Sequence, residues 1–375
     1  MDTPRLHAIL SGRDRSVAGR LARPGLTAAA AGYGAAVQLR NVAFNRGLKR
    51  VTPLGRPTVS VGNITAGGTG KTPMVIEFVR RLLASGHRPA VLMRGYGDDE
   101  TMELQDTLGA IATANGDNKP TTLVIADPDR VRGAKSAIVR DPAVDCFVLD
   151  DGFQHRRAGR DRDVVLVDAT NPFGYGYLLP RGLLREPVQN LRRADGVIVT
   201  RADQVDDGER AVLDERIRRL TGKPAVAHAA HRWTSLRDAD DVPWPVERLQ
   251  SLKVLGVCGI GNPASFAGRL AEHASSLATS ATSREAYPGV MALGDHHAYR
   301  HDELTDMLRE AELRGAEAVV TTEKDWVKWR SLVAGHGLPM PVLRPVLAMQ
   351  FLDGDAAVDT LLTEMFEPQA VSHRG

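Results

Sequence analysis

The stretch that most restricts the fold runs from Thr58 to Gly86, TVSVGNITAGGTGKTPMVIEFVRRLLASG. A short run of strand character leads into a glycine-rich turn, a Lys-Thr pair and an apolar pattern of helical period. Val75, Phe78, Val79 and Leu82 fall on one helical face, and Gly86 stands where such a helix stops. Strand, glycine loop and helix in that order make a phosphate cradle. Glycines let the backbone bend round an anion with its N–H groups pointing inward, and the helix N-terminus adds partial positive charge. In this reading Thr65, Ala66, Gly67, Gly68, Thr69, Gly70, Lys71 and Thr72 hold nucleotide phosphates. Lys71 reaches the β- and γ-phosphates, and the Thr72 hydroxyl ligates Mg²⁺. The usual spacing G-x-x-x-x-G-K-[ST] places glycine where this chain has Thr65, so Gly67, Gly68 and Gly70 must compensate. Pro73 suits the first helical turn, where a missing N–H costs little.

The pattern then repeats. PAVLM, TLVIAD, CFVLDD, DVVLVDA and GVIVTRAD are near-continuous apolar runs separated by amphipathic stretches. Runs of that kind suit a parallel sheet covered on both faces. The expected fold is α/β and P-loop NTPase-like: a mostly parallel sheet with helices on both faces. A smaller C-terminal α/β lobe and an N-terminal helix complete it. In the lobe, KVLGVCGIG and EAVVTTEKD read as strands, PASFAGRLAEH and HDELTDMLREAELRG as helices, and RDADDVPWPVERLQ as a hinge or linker. The expected divisions are a basic segment 1–56, a nucleotide-binding core 57–230, the lobe 231–366 and a tail 367–375.

Net charge is only +2, but residues 1–56 carry ten Lys/Arg against two acids. Such a segment points to an anionic partner: a membrane surface, an acidic lipid or nucleic acid. Within it, Leu26 to Arg50 reads as a helix with Tyr33, Val37, Phe44 and Leu48 on one face. An interfacial helix and a helix packed on the body both fit. No apolar run is long enough to span a bilayer, and no signal-peptide pattern is present. A basic groove interleaved with aromatics is missing, which argues against nucleic acid. The two cysteines, Cys146 and Cys258, sit inside apolar runs and read as small core residues, not as a disulfide or zinc framework.

FVLDDGFQHRR ends an apolar strand in two acids, Asp150 and Asp151. A carboxylate at that end of a strand beside the phosphate loop is where a nucleotide enzyme holds Mg²⁺, and Asp151 is the preferred contact. Asp98, Asp99 and Glu100 follow another strand and reach the same rim. In GDHHAYRHDEL, His296 and His297 follow Asp295, and a histidine beside a carboxylate can take a hydroxyl proton; a solvated helix surface explains the same residues. Arg181 and Arg185 in YGYLLPRGLLREP form a guanidinium pair suited to phosphate, with apolar neighbours suited to an acyl chain.

Together VGNITAGGTGKTP, RGYG, PDRVRGA, LDDGFQHRR, RDVVLVDA, LLPRGLLREP, ADGVIVTRAD, CGIGNPASF, GDHHAYR and TTEKDWVK resemble the tetraacyldisaccharide 4'-kinase family, the lipid A 4'-kinases of Gram-negative envelopes, from about Val61 to Lys328. The resemblance implies ATP- and Mg²⁺-dependent phosphorylation of the 4'-hydroxyl of a tetraacyldisaccharide 1-phosphate. It places the enzyme, peripheral or monotopic, at the cytoplasmic face of the inner membrane, with neither nucleic acid nor a protein partner expected. Carried over, Lys71 and Thr72 are the Walker A pair, Asp150 and Asp151 the paired aspartates and His296 the histidine of the Asp-His stretch. Asp99, with Asp98 as the alternative, is the acid that orients His296. In the same reading Arg181 and Arg185 bind substrate phosphate or leaving-group charge, and by analogy with other P-loop proteins Lys324 or Asp325 of TTEKD contacts the base. The rival reading is a P-loop GTPase-type switch or metal-insertion chaperone, to which TTEKD is distantly similar.

Overall fold

The computed structural model describes residues 9–367 except 13, 15, 96–100, 103, 106, 110–121, 262, 279–288, 295–296 and 335–337. They fall into two compact units, one holding the chain up to residue 231 together with the segment from 349 onward, the other holding 232–348. Residues 349–366, expected in the C-terminal lobe, thus belong to the first unit.

In the first unit, helix α1 spans Val17–Asn45, nine residues earlier at its start than the apolar stripe suggested. Ser16 sets that start, its hydroxyl accepting the Gly19 N–H at 3.1 Å. Strand β1 (Thr58–Asn63) leads through the glycine loop to α2 (Lys71–Ala84). There follow β2 (Pro89–Met93), β3 (Leu123–Ala126), α3 (Arg130–Arg140), β4 (Cys146–Asp150), β5 (Arg162–Asp168), β6 (Gly196–Thr200), α4 (Asp207–Thr221) and β7 (Ala227–Arg237). The strands lie in the order β3-β2-β4-β1-β5-β6-β7, every pair parallel.

β1 and β6 are buried along their whole length, which is why they read as unbroken apolar runs. The two faces still separate by the period of two. Val59 and Val61 pack with Val164, Leu166, Phe78, Val79 and Leu82 on the α2 side, while Val165 and Val167 pack with Ile64, Phe153 and Leu191 on the other. Because β1 lies between β4 and β5, the loop that follows it opens beside the C-terminal ends of both.

The second unit carries β8 (Pro243–Trp244), β9 (Lys253–Cys258), α5 (Pro263–His273), β10 (Ser276–Leu277), β11 (Val290–Ala292), α6 (His301–Leu313), β12 (Ala318–Thr321), α7 (Glu323–Val333) and the start of β13 (Val342–Asp353). β9 pairs in parallel with β10, β11 and β12, and β12 with β13. The stretch read as a linker is an ordered hairpin instead. Asp238 accepts the Val242 N–H at 2.9 Å and the Trp244 indole N–H at 3.0 Å, and buried Arg344 donates to its carbonyl. Beyond β13, α8 (Asp355–Thr363) returns to the first unit. There Arg81 of α2 donates to Asp359 at 2.6 Å and pairs with Asp355, and Val358, Leu361 and Leu362 join the α2 core. Cys146 and Cys258 are both buried thiols.

Candidate active site

The loop from Ile64 to Gly70 is held at its start. Thr65 forms an antiparallel bridge with Leu184, the Ala66 N–H donates to Leu183 O at 2.7 Å, and the Arg185 N–H donates to Ile64 O at 2.7 Å. This explains why a threonine replaces the usual glycine: position 65 is drawn into sheet-like pairing, where a β-branched residue is at home. The left-handed backbone that the loop needs falls on Gly67 (φ 121°) and Gly70 (φ 88°). Gly70 is also the N-cap of α2, and a Cβ there would stand 2.2 Å from His231 Nε2. Two requirements, conformation and space, therefore converge on one glycine.

Lys71 is the first residue of α2, with its Nζ 3.7 Å from Asp151 Oδ1. Asp151 follows β4 directly and adopts φ 51°, unusual for a residue with a Cβ. Arg185 Nη1 donates to both of its oxygens, at 2.8 and 2.9 Å. Burial by itself would raise the Asp151 pKa, but Lys71 and then Arg185 outweigh it and hold the carboxyl below the usual range. Thr72 is half-buried one residue into the helix. Behind Asp150, Arg130 donates to its carbonyl at 3.2 Å and to Asp127 O at 2.8 Å. Burial lowers the Arg130 pKa against the pull of Asp150 and Asp151.

Of the residues expected in the site, Lys71, Asp151 and Arg185 are brought into one cluster, flanked by Thr72 and Asp150. Arg185 spends its guanidinium on Asp151. Arg181 is buried, donating to Leu10 O at 2.6 Å and lying over the Tyr177 ring at 4.2 Å. Its charge is turned into the protein. Asp98, Asp99 and His296 lie outside the described residues.

Asp325 is wholly buried and accepts from the Gly259 N–H at 3.0 Å, Tyr299 OH at 2.9 Å and Thr322 Oγ1 at 2.6 Å. Thr322 meanwhile caps α7. The expectation that Asp325 reads a nucleotide base is withdrawn, because its carboxylate is enclosed and satisfied. Lys324, the other residue expected to contact the base, is half-buried beside it.

Sequence reasoning assigned no role to Arg130, although a cation placed four residues past a strand end, in PDRVRGA, was a usable signal. It also passed over Glu186, which is fully buried among Arg40 (3.3 Å), Asn41 (3.0 Å), Asn190 (2.7 Å) and Arg193 (3.1 Å).

The loop suits a polyphosphate. Among the described residues, Cβ atoms added at Gly67 or Gly68 would meet nothing within 4 Å, and Lys71 follows at the start of α2. No cluster of three or more His, Cys, Asp or Glu able to hold a metal occurs among the described residues. Mg²⁺ in a nucleotide site takes one or two protein oxygens and completes its shell with phosphate and water. Residues at hand for that role are Thr72, Asp151 and Asp150.

Parallel sheet, glycine loop, Lys-Thr at the helix start and a carboxylate on the neighbouring strand define a P-loop phosphate-binding protein. Comparison with known proteins narrows the class. The family model described as tetraacyldisaccharide-1-P 4'-kinase matches residues 22–366. The tetraacyldisaccharide 4'-kinase of Anaeromyxobacter dehalogenans (strain 2CP-C) is 38% identical over 339 residues, covering 87% of this chain and 86% of that one. That of Geobacter sulfurreducens is 36% identical over 371 residues, covering 94% and 98%. Among solved structures, LpxK from Aquifex aeolicus in complex with ATP superposes with a TM-score of 0.68 at 23% identity, covering 92% of this chain and 99% of its own. The chain belongs to the tetraacyldisaccharide-1-P 4'-kinase family.

Proposed function

We propose that this protein transfers the γ-phosphoryl group of ATP to the 4'-hydroxyl of a tetraacyldisaccharide 1-phosphate, a step of lipid A synthesis, at the cytoplasmic face of the inner membrane. The observation that carries the reading is the cluster of Lys71, Asp151 and Arg185 at the mouth of the glycine loop, in a chain of this family. Mg·ATP, when bound, would supply the transferable phosphoryl group and a divalent charge to offset that of the polyphosphate.

The chain's own residues position and neutralise. Backbone N–H groups from Gly67 to Thr72 would hold phosphate oxygens, and Lys71 would offset the charge of the β- and γ-phosphates. Asp151, kept anionic by its cationic neighbours, and Thr72 present oxygens to the metal. Arg185, bonded to Asp151, would add positive charge beside the phosphates. The family resemblance assigns the hydroxyl's proton to His296, with Asp99 as its acidic partner. Catalysis in such a site is chiefly positioning and electrostatic stabilisation.

Membrane docking is supported by the outer face of α1. Ala30, Gly34, Val37 and Asn41 face inward, with Arg40 and Asn41 meeting Glu186, whereas Val17, Leu21, Leu39 and Val42 are exposed. No helix among the described residues is long and apolar enough to cross a membrane. An exposed apolar stripe beside basic residues suits the interface of an anionic bilayer.

The test is incubation with γ-labelled ATP and the disaccharide lipid. Label should move to the 4' position of the lipid, and Lys71→Ala should reduce transfer to background while leaving the circular dichroism unchanged. Release of label to water at the same rate with and without lipid, or near-normal transfer by Lys71→Ala, would refute the assignment.

A further inference from the structure

RDVVLVDA and GVIVTRAD have no part in the reaction as outlined, yet both strands end against the glycine loop. Arg201, just past β6, donates Nη2–H to Gly68 O at 2.7 Å, and its Nη1 pairs with Asp168 at the end of β5. Thr200 donates its hydroxyl to Thr69 O at 2.9 Å. Asn63, at the end of β1, reaches Gly67 O at 3.5 Å and Thr69 Oγ1 at 2.9 Å. The carbonyls of residues 67, 68 and 69 are thus taken in succession by Asn63, Arg201 and Thr200. In a trans peptide the C=O and N–H point in opposite directions. Each donor that captures a carbonyl therefore turns the N–H of the next residue away from itself. Three captured carbonyls set the N–H groups of Gly68, Thr69 and Gly70, the donors from which an anion nest is made.

The brace is buried and specific. Thr200 is 0% and Arg201 6% exposed. Arg201 adopts φ 52°, a conformation that residues with a Cβ rarely hold, and the Gln204 N–H closes a turn on its carbonyl at 3.0 Å. Asp168 neutralises its charge, and the Asp168 carboxylate is itself fixed by the Thr170 N–H and hydroxyl at 3.0 and 2.7 Å. An arginine held this way is arranged to grip a carbonyl, not to meet a solvent-borne anion.

We propose that Arg201, set by Asp168, and Thr200 are positioning residues that pre-form the phosphate cradle. This rests on the reading of the loop as the ATP-phosphate site. The pre-formed cradle removes an ordering cost from nucleotide binding, so its loss falls on ATP and not on the lipid acceptor.

The test uses the full chain with Mg²⁺ and ATP, comparing wild type, Arg201→Ala and Thr200→Val by calorimetric ATP titration and label-transfer kinetics. Arg201→Ala should weaken ATP binding and raise its KM roughly tenfold or more, the loss of a charge-assisted bond. Thr200→Val, which keeps the shape and removes only the hydroxyl, should raise it by about fivefold. In both, the KM for the lipid should stay within about twofold. Should Arg201→Ala fail to fold, Thr200→Val decides alone. ATP affinity unchanged in Thr200→Val, or an equal rise in both KM values, would overturn the inference while leaving the loop assignment standing. Failure of the wild type to bind ATP would instead remove the loop assignment, and the inference with it.

Discussion

Gly70→Ala offers the sharpest probe of how the loop is built. Gly70 has φ 88°, and a Cβ on it would lie 2.2 Å from His231 Nε2 and 3.2 Å from Met349 Cε. The backbone term for an L-residue in the left-handed region is about 1–2 kcal/mol. Forcing extra volume against a packed imidazole adds about 1–3 kcal/mol. The expected loss is therefore about 2–5 kcal/mol, large against the stability of an ordinary domain. The two terms separate in a double-mutant cycle. In a His231→Ala background only the flexible Met349 methyl remains near the added Cβ, so Gly70→Ala should cost little beyond the backbone term, about 1–2 kcal/mol. Urea denaturation followed by far-ultraviolet circular dichroism measures all four corners. Equal costs in both backgrounds would show that His231 does not occupy that space. A cost below about 0.5 kcal/mol in the wild-type background would show that Gly70 is not held in the left-handed region at all.

Other consequences are as direct. Burial, followed by Arg130 and Arg160, pushes the His155 pKa down to about 4 from the ordinary 6.5. Between those values the unfolded chain binds the extra proton, so stability falls as pH drops from 6.5 towards 4. For a half-exposed ring the share is about 1–2 kcal/mol after solvent screening. His155→Gln should flatten that part of the stability–pH curve, and an unchanged slope between wild type and variant would contradict it. Leu21→Glu with Leu39→Glu should reduce co-sedimentation with anionic vesicles several-fold without lowering the melting temperature; undiminished sedimentation would count against α1 as the docking element. Glu186→Ala, which leaves Arg40 and Arg193 without their buried partner, should destabilise by about 3–5 kcal/mol and expose α1 to limited proteolysis. Proteolysis indistinguishable from wild type would show that Glu186 does not anchor the helix.

Much of the first unit was legible in the sequence because its signals are local. Strands β1, β4, β5 and β6 are covered on both faces, so each shows as a continuous apolar run whatever lies elsewhere in the chain. The α2 face of Val75, Phe78, Val79 and Leu82 is buried as the helical period requires. Lys71 and Thr72 follow from a loop whose function is written in consecutive residues. β13 escaped because its second half is partly exposed and contains no unbroken apolar run, and α8 because nothing local marks it as part of the first unit.

What sequence alone determined is most elements of the first unit and the phosphate-binding chemistry, since both depend on neighbours a few residues apart. Only tertiary structure decided which charges meet. Arg185 lies 34 residues from Asp151, and Arg201 lies 133 from Gly68, yet each pair is in hydrogen-bond contact. It also turned Arg181 and Asp325 inward and set Asn41 of α1 against buried Glu186. Hydrogen bonds and ion pairs act over a few ångströms of space, and the order of strands in the sheet, not distance along the chain, sets which groups come within that reach.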